Sequence, residues 1–318
     1  MLKKGYTTGV HTSFAFKSAI DNFLSTKKLS IAKTIKSDND DLDVTKGCEI
    51  VVMISFYKDE LSFNPIFQKP YIIKSSSITL ELYAGEGVGV ATKDGIKPPK
   101  NYPAINPIPL QSIQNIIFNK HLQVSQTIYC TICVTNGQEI SKQTANSKVG
   151  VIGGISILGT KGWVKPISST AYINSIETEL NFAKINGYNS VVFTLGNNSL
   201  KKANDLFNNS YIIEIGNFIY DGIYLAIKKD FKNITLVCGI AKAVKISQGF
   251  KNTHNRFGSI DFIKLQQYVD IDISSCVTVK RVLELLKDDT KLFYKIIKIN
   301  VIKQLYFWFN KDINIVIL

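Results

Sequence analysis

Side chains able to move protons or bind metals are scarce in this chain. Histidine occurs only at 11, 121 and 254, and cysteine only at 48, 130, 133, 238 and 276. In Lys251-Asn-Thr-His-Asn-Arg256, His254 sits among hydrogen-bonding neighbours, which makes it the first candidate for polar or acid–base work. A histidine that merely holds a loop is the plainer alternative; His11 ranks second, and His121 reads as surface. Carboxylates gather at 38, 40, 41 and 43 in an otherwise basic chain. A solvated loop is the ordinary outcome there, and the functional one is a set of acids that orients polar groups or faces a cation. The glycine and distal glutamate of an EF-hand loop are missing at their offsets. Cys130 and Cys133 are three apart in a strand-like run and so point to opposite faces, which argues against a shared zinc; no metal site is expected.

The other signal is glycine. Gly150, Gly153, Gly154, Gly159 and Gly162 interrupt a β-branched stretch, Gly85, Gly87, Gly89 and Gly95 follow a strand pattern, and Gly196, Gly216 and Gly239 each end one. Glycine in these settings serves positive φ or a close approach, by a ligand or by another backbone. The first cluster lacks the Gly-Lys-Ser/Thr ending of a P-loop. The second lacks G-x-G-x-x-G and runs into Lys97-Pro-Pro99, so neither nucleotide fingerprint applies.

The elements that must position these residues differ between the two halves. The first half predicts a helix over 13–24, capped by Thr8 or Thr12, strands over 49–56, 77–83 and 127–135, and a rigid proline loop over 103–109 leading into a helix. From 168 on, strands at 190–195, 211–215 and 234–238 alternate with helices, the signature of right-handed βαβ units on a parallel sheet. Two helical patterns and a strand-like 313–318 close the chain. The expected class is α+β with two domains: an N-terminal β-rich α+β domain over 1–148, and a C-terminal Rossmann-like α/β domain over 149–318 with a mostly parallel sheet. On that reading 149–152 is the first strand of the second sheet, and Gly153 and Gly154 join Gly196, Gly216 and Gly239 on a ligand-binding rim.

Bulk properties narrow the partners. The 318 residues are 45% hydrophobic, enough for a substantial core, and carry a net charge of +13. Arg256 and Arg281 are the only arginines, and the lysines form no block, so a basic nucleic-acid binder is supported by charge alone. An odd, scattered cysteine set suits a reducing compartment, and no apolar run is long enough to span a bilayer. A cytoplasmic protein without a membrane partner is expected, with self-association left open.

Taken together, Gly5-Tyr-Thr-Thr-Gly9, Asp40-Asp-Leu-Asp-Val-Thr45 with Gly47, Gly87-Val-Gly89 with Thr92 and Lys93, Pro103-Ala-Ile-Asn-Pro107, Gly153-Gly-Ile-Ser-Ile-Leu-Gly-Thr160, Gly216-Asn-Phe218 and Asn252-Thr-His254 resemble, in order, the cobalt-precorrin-5B C1-methyltransferases of anaerobic cobalamin synthesis. The resemblance implies transfer of the methyl group of S-adenosylmethionine to ring carbon C1 of a cobalt corrinoid, whose carboxylates give the lysines a purpose. It implies cofactor contacts at Gly153, Gly154, Ser156, Gly159, Thr160, Gly196, Asn197, Gly216 and Asn217. Substrate contacts would fall at Thr7, Thr8, Asp40, Asp41, Asp43, Thr45, Gly87, Gly89, Lys93, Asn106 and Thr253, with His254 orienting a polar substituent as the catalytic candidate. The chain departs from the family pattern at His11, Lys46, Lys161, Cys238 and Asn255. A homologue that binds a corrinoid without methylating it is the alternative within the family.

Overall fold

The computed structural model describes residues 5–38, 43–120, 124, 126–159 and 169–318, with backbone alone at 163–164. The chain mixes helices with sheets and divides into two compact units, Met1–Ser169 and Thr170–Leu318. Among the described residues no helix is long and apolar enough to cross a membrane.

In the first unit, β1 (Gly5–Tyr6) leads into α1 (Thr8–Thr26). The helix buries Ala15, Phe16, Ala19, Ile20, Phe23 and Leu24, a stripe at helical spacing. Neither expected threonine caps it. Thr7 does, its hydroxyl accepting from the Val10 N–H, while Lys27 at φ 57° ends the helix by donating its N–H to the Phe23 carbonyl. Next come β2 (Ser30–Ile35), β3 (Glu49–Ser55), β4 (Tyr71–Lys74), β5 (Thr79–Ala84), β6 (Gly87–Val88) and β7 (Val90–Ala91). After them the unit holds α2 (Pro107–Phe118), β8 (Ile128–Val134), α3 (Gly137–Ser141), β9 (Val151–Ile152), β10 (Gly154–Ile155) and β11 (Trp163–Val164).

Five strands form one sheet in the order β2-β3-β8-β5-β4, with only the β5–β8 pair parallel. Alternation along β3 buries Ile50, Val52 and Ile54 beneath Phe16, Ile20 and Phe23 of α1. The segment 149–152 was expected to open the second domain's sheet and does not. Strand β9 pairs with β7 antiparallel and β10 with β6 in parallel, so this glycine-rich stretch is stitched into the first unit.

The second unit runs α4 (Ser169–Ile185), β12 (Ser190–Thr194), α5 (Asn197–Leu206), β13 (Tyr211–Glu214), α6 (Ile219–Lys228), β14 (Asn233–Cys238) and α7 (Ile240–Ser247). It ends with α8 (Phe262–Gln266), α9 (Val279–Leu286), α10 (Thr290–Phe309) and β15 (Asn314–Ile317). All four strands are parallel, in the order β13-β12-β14-β15. Val191, Phe193 and Leu236 pack into one apolar cluster, and Val192 and Val237 into another with Ala203 of α5. The sheet is thus covered on both faces, which is why these strands read as unbroken apolar runs. After β13 the chain crosses back over β12 to form β14, so the strand order reverses between β12 and β14.

Candidate functional site

A strand-order reversal parts the helices on either side and leaves a crevice beyond the strand C-termini. Here a cleft of about 690 Å³ opens at that place, with Gly196, Asn197, Asn198 and Ser199 following β12 on one wall and Gly239 and Lys242 following β14 on the other. Backbone freedom lets Gly196 make its turn at φ 101°, and neither Gly196 nor Gly239 has any atom within 4 Å of where a Cβ would be. These two glycines keep space open. The first turns of α5 and α7 both begin at the cleft and bring it the positive ends of two helix dipoles, although the Ile240 N–H of α7 is already taken by the Leu318 main-chain oxygen at 3.0 Å.

Behind the β14 wall lies a small polar network. Asn217 Oδ1 accepts from Lys242 Nζ at 2.7 Å and from the Thr253 hydroxyl at 2.9 Å, and the Thr253 N–H donates to the Asn217 carbonyl. Fully buried Thr253 offers its own carbonyl to Lys242 Nζ at 3.2 Å and Lys245 Nζ at 3.3 Å. Burial and the neighbouring Lys245 charge lower the Lys242 pKa. Beneath the cleft, burial pushes the Cys238 thiol up to about 12, with Lys242 offsetting part of the rise, so it is no nucleophile near neutrality. Among the described residues that line the cleft, no side chain is a carboxylate or an imidazole. It is suited to holding an anionic group and poorly suited to proton abstraction.

Of the residues singled out from sequence, Gly196, Asn197, Asn217 and Thr253 meet at this cleft or in the network behind it. Gly216 stands close by at φ 55°, with the Tyr172 hydroxyl 2.9 Å from where its Cβ would be, and Tyr172 stacks on Phe218. His254, next to Thr253, is exposed and caps a short 3-10 turn, its Nδ1 accepting from the Arg256 N–H at 3.2 Å. Lys242 was missed, one lysine among many. Its only distinguishing mark in the sequence is its place three residues past the Cys238-Gly239 turn.

Apart from His254, the other candidates lie in the first unit, where the chain itself uses most of those that are described. The Thr8 hydroxyl donates to the Leu158 carbonyl and accepts from its N–H at 2.9 Å, and a Cβ on Gly159 would lie 2.5 Å from Thr7 Oγ1. Asn106 precedes α2 and donates its N–H to the Ile157 carbonyl, while Ser156 bonds Asn146 at 3.3 Å. Gly87 and Gly154 pack backbone to backbone, Gly89 lies against Val151 and Gly154, and Gly153 against Asn64. Expected on the rim with Gly196 and Gly239, Gly153 and Gly154 instead have their space filled by the first unit's own atoms. Asp43 accepts from the Thr45 N–H and hydroxyl and pairs with the buried Lys36 ammonium. Lys93 is exposed. Asp40, Asp41 and Thr160 lie outside the described residues. A second hollow of about 420 Å³, lined by Tyr71, Lys97, Pro107 and Leu110, adjoins the proline loop.

His11 is buried, with Nε2 accepting from the Ser37 N–H at 3.0 Å and Nδ1 facing the Thr34 hydroxyl. Burial, then the Lys36 charge, lowers its pKa, so it is a neutral structural histidine. Cys130 and Cys133 are both buried in β8, their thiols raised by burial.

Comparison with known proteins adds a family to this geometry. The family model described as CbiD matches residues 19–166. A cobalt-precorrin-5B C(1)-methyltransferase of Methanocaldococcus jannaschii is 34% identical over 79% of this chain, and the chain spans 65% of that relative's length, just under two thirds. One from Picrophilus torridus is 30% identical over 95% of this chain and 94% of its own. A crystal structure of a cobalamin biosynthesis protein (cbiD) from Archaeoglobus fulgidus aligns with 77% of this chain and 79% of that one, at 22% identity and a TM-score of 0.33. With nearly all of both sequences aligned in the Picrophilus comparison, this chain belongs to the cobalt-precorrin-5B C(1)-methyltransferase family, CbiD.

Proposed function

We propose that this chain methylates carbon 1 of cobalt-precorrin-5B with S-adenosylmethionine, giving cobalt-precorrin-6A in anaerobic cobalamin synthesis, and that it acts in the cytoplasm. On this reading the second unit is a Rossmann-like cofactor-binding domain. The observation that carries it is the cleft at the strand-order reversal, open at Gly196 and Gly239 and bordered by two helix N-termini and Lys242. Its volume is in the range of small-molecule sites, and its basic, amide-rich walls fit an adenosyl amino acid. When bound, S-adenosylmethionine supplies a methyl group made electrophilic by its sulfonium.

The chain's part is then to align and to exclude water, because attack by a ring carbon on a sulfonium methyl depends on orientation and a dry approach more than on a strong base. A wall whose described side chains include no carboxylate or imidazole is compatible with that chemistry. Gly196, Asn197, Gly239 and Lys242 would hold the cofactor. The test is anaerobic incubation with S-adenosylmethionine and cobalt-precorrin-5B followed by mass spectrometry. Absence of a methyl gain, with a family member active in parallel, would remove the proposal.

A variant separates the cleft from the fold. Gly239 has φ −72° and ψ 155°, which any residue adopts, and open space beyond its Cβ position. Gly239→Leu is expected to keep the wild-type melting temperature within a few degrees while lowering affinity for S-adenosylhomocysteine at least tenfold by filling the cleft. Unchanged affinity in calorimetry would place the cofactor elsewhere.

A further inference from the structure

Lysine is an odd residue for the place where Lys242 stands. It lies in the first turn of α7, where the helix dipole favours acids and disfavours cations, and that turn contains no acid. Its ammonium and that of Lys245 converge on the single Thr253 carbonyl, so two like charges are held close together. Neither is paired with a carboxylate among the described residues; every partner of both is a neutral oxygen. Lys245 is buried and Lys242 half-buried, and a buried cation without a counter-ion is costly, the more so with a second charge beside it.

Counting protons separates their roles. An ammonium has three N–H donors. Lys245, 6% exposed, spends all three on the Thr253 carbonyl, Asn255 Oδ1 and the Gly258 carbonyl. It is a saturated internal clamp on the 253–258 loop. Lys242 spends two, on Asn217 Oδ1 and the Thr253 carbonyl, and lines the cleft with one N–H left over. Asn217 cannot turn away without breaking its bond from the Thr253 hydroxyl, so the ammonium is held in place from behind.

We propose that Lys242 is the anchor for a ligand carboxylate in the cleft between β12 and β14, with Asn217 and Thr253 as its positioning residues. The proposal rests on the methyltransferase reading for the identity of the anion: the methyl donor and the corrinoid both carry carboxylates, and neither carries a phosphate. A carboxylate on Lys242 would take up the spare N–H, offset the paired lysine charges and place negative charge near a helix N-terminus whose first turn has no acidic side chain. It therefore relieves all three anomalies at once.

The experiment measures binding by calorimetry to wild type, Lys242→Met and Lys242→Arg with two pairs of probes. S-adenosylhomocysteine is paired with its decarboxylated analogue, and cobyrinate with its neutral heptamethyl ester. If the donor's carboxylate is the ligand, Lys242→Met weakens S-adenosylhomocysteine at least about tenfold, leaves the decarboxylated analogue unchanged, and Lys242→Arg recovers part of the loss. If a corrinoid side chain is the ligand, the same contrast appears between cobyrinate and its ester instead. Equal losses within each pair, or no loss, overturn the anchor while leaving the methyltransferase reading standing. Failure of the wild type to bind either carboxylate probe overturns both. Melting curves of the two variants, expected to match wild type, show that lost affinity is not lost structure.

Discussion

Alanine at Gly87 is expected to unfold the first unit. Gly87 has φ 76°, and a Cβ there would lie 2.0 Å from the Val134 carbonyl oxygen. From the other side, a Cβ on Gly137 or Gly154 would lie 2.1 or 2.2 Å from the Gly87 carbonyl oxygen. These obstacles are backbone atoms in hydrogen-bonded strands, which cannot rotate aside as a side chain would. Adding the left-handed penalty to the overlap gives an expected loss of more than about 3 kcal/mol for Gly87→Ala, a large part of the stability of an ordinary domain. Gly47 provides the control. It has φ 70° but nothing within 4 Å of its Cβ position, so Gly47→Ala should cost only about 1 kcal/mol. Urea unfolding followed by circular dichroism compares the two, and similar midpoints would sink the backbone-packing account.

Asparagine at Asp43 is the second large loss to expect. Lys36 is 1% exposed, and its ammonium meets the Asp43 carboxylate. Removing the acid leaves a buried cation with its charge uncompensated, at an expected cost of about 3–5 kcal/mol, whereas Lys36→Met with Asp43→Leu should be much milder. The same pair sets an acid limit. Burial opposes ionisation of Asp43, but Lys36 and two bonds from Thr45 outweigh it and hold the pKa below the ordinary 3.8. A carboxyl with a depressed folded pKa binds its proton less readily folded than unfolded. Its stabilisation is therefore in full force above the unfolded value and is lost as pH falls through the folded one. Urea midpoints measured from about pH 5 down to 2 should drop more steeply for wild type than for the double variant. Parallel curves would show that Asp43 titrates alike in both states.

The second unit was legible in the sequence because its strands are buried on both faces and two of them end in positive-φ turns, at Gly196 and Gly216, that favour glycine. Predicted strands at 190–195, 211–215 and 234–238 became Ser190–Thr194, Tyr211–Glu214 and Asn233–Cys238, and the cleft lies at two of their glycine turns. The first unit was harder. Its β6, β7, β9 and β10 are two residues each, too short for any periodicity, and their partners are more than fifty residues away. Glycine was the recurrent ambiguity. Gly154 and Gly239 look alike in sequence, but one has no space for a side chain because the Gly87 carbonyl fills it, and the other has space that nothing in the chain fills. Only the fold separates a glycine needed by the backbone from one that leaves space for a ligand. Asp43 shows the same limit, since its place in an acidic loop gave no hint of the buried lysine seven residues before it.

The clasp at the start of α1 imposes an order of events during synthesis. Thr8 and Gly9 close on Leu158, 150 residues further along from Thr8. At ribosomal rates of about 5–20 residues per second, the first helix waits on the order of ten seconds or more after emerging before its latch exists. Until β8 follows, Phe16, Ile20 and Phe23 also lack the finished sheet they pack against, so the nascent first unit exposes apolar surface of the kind that chaperones cover.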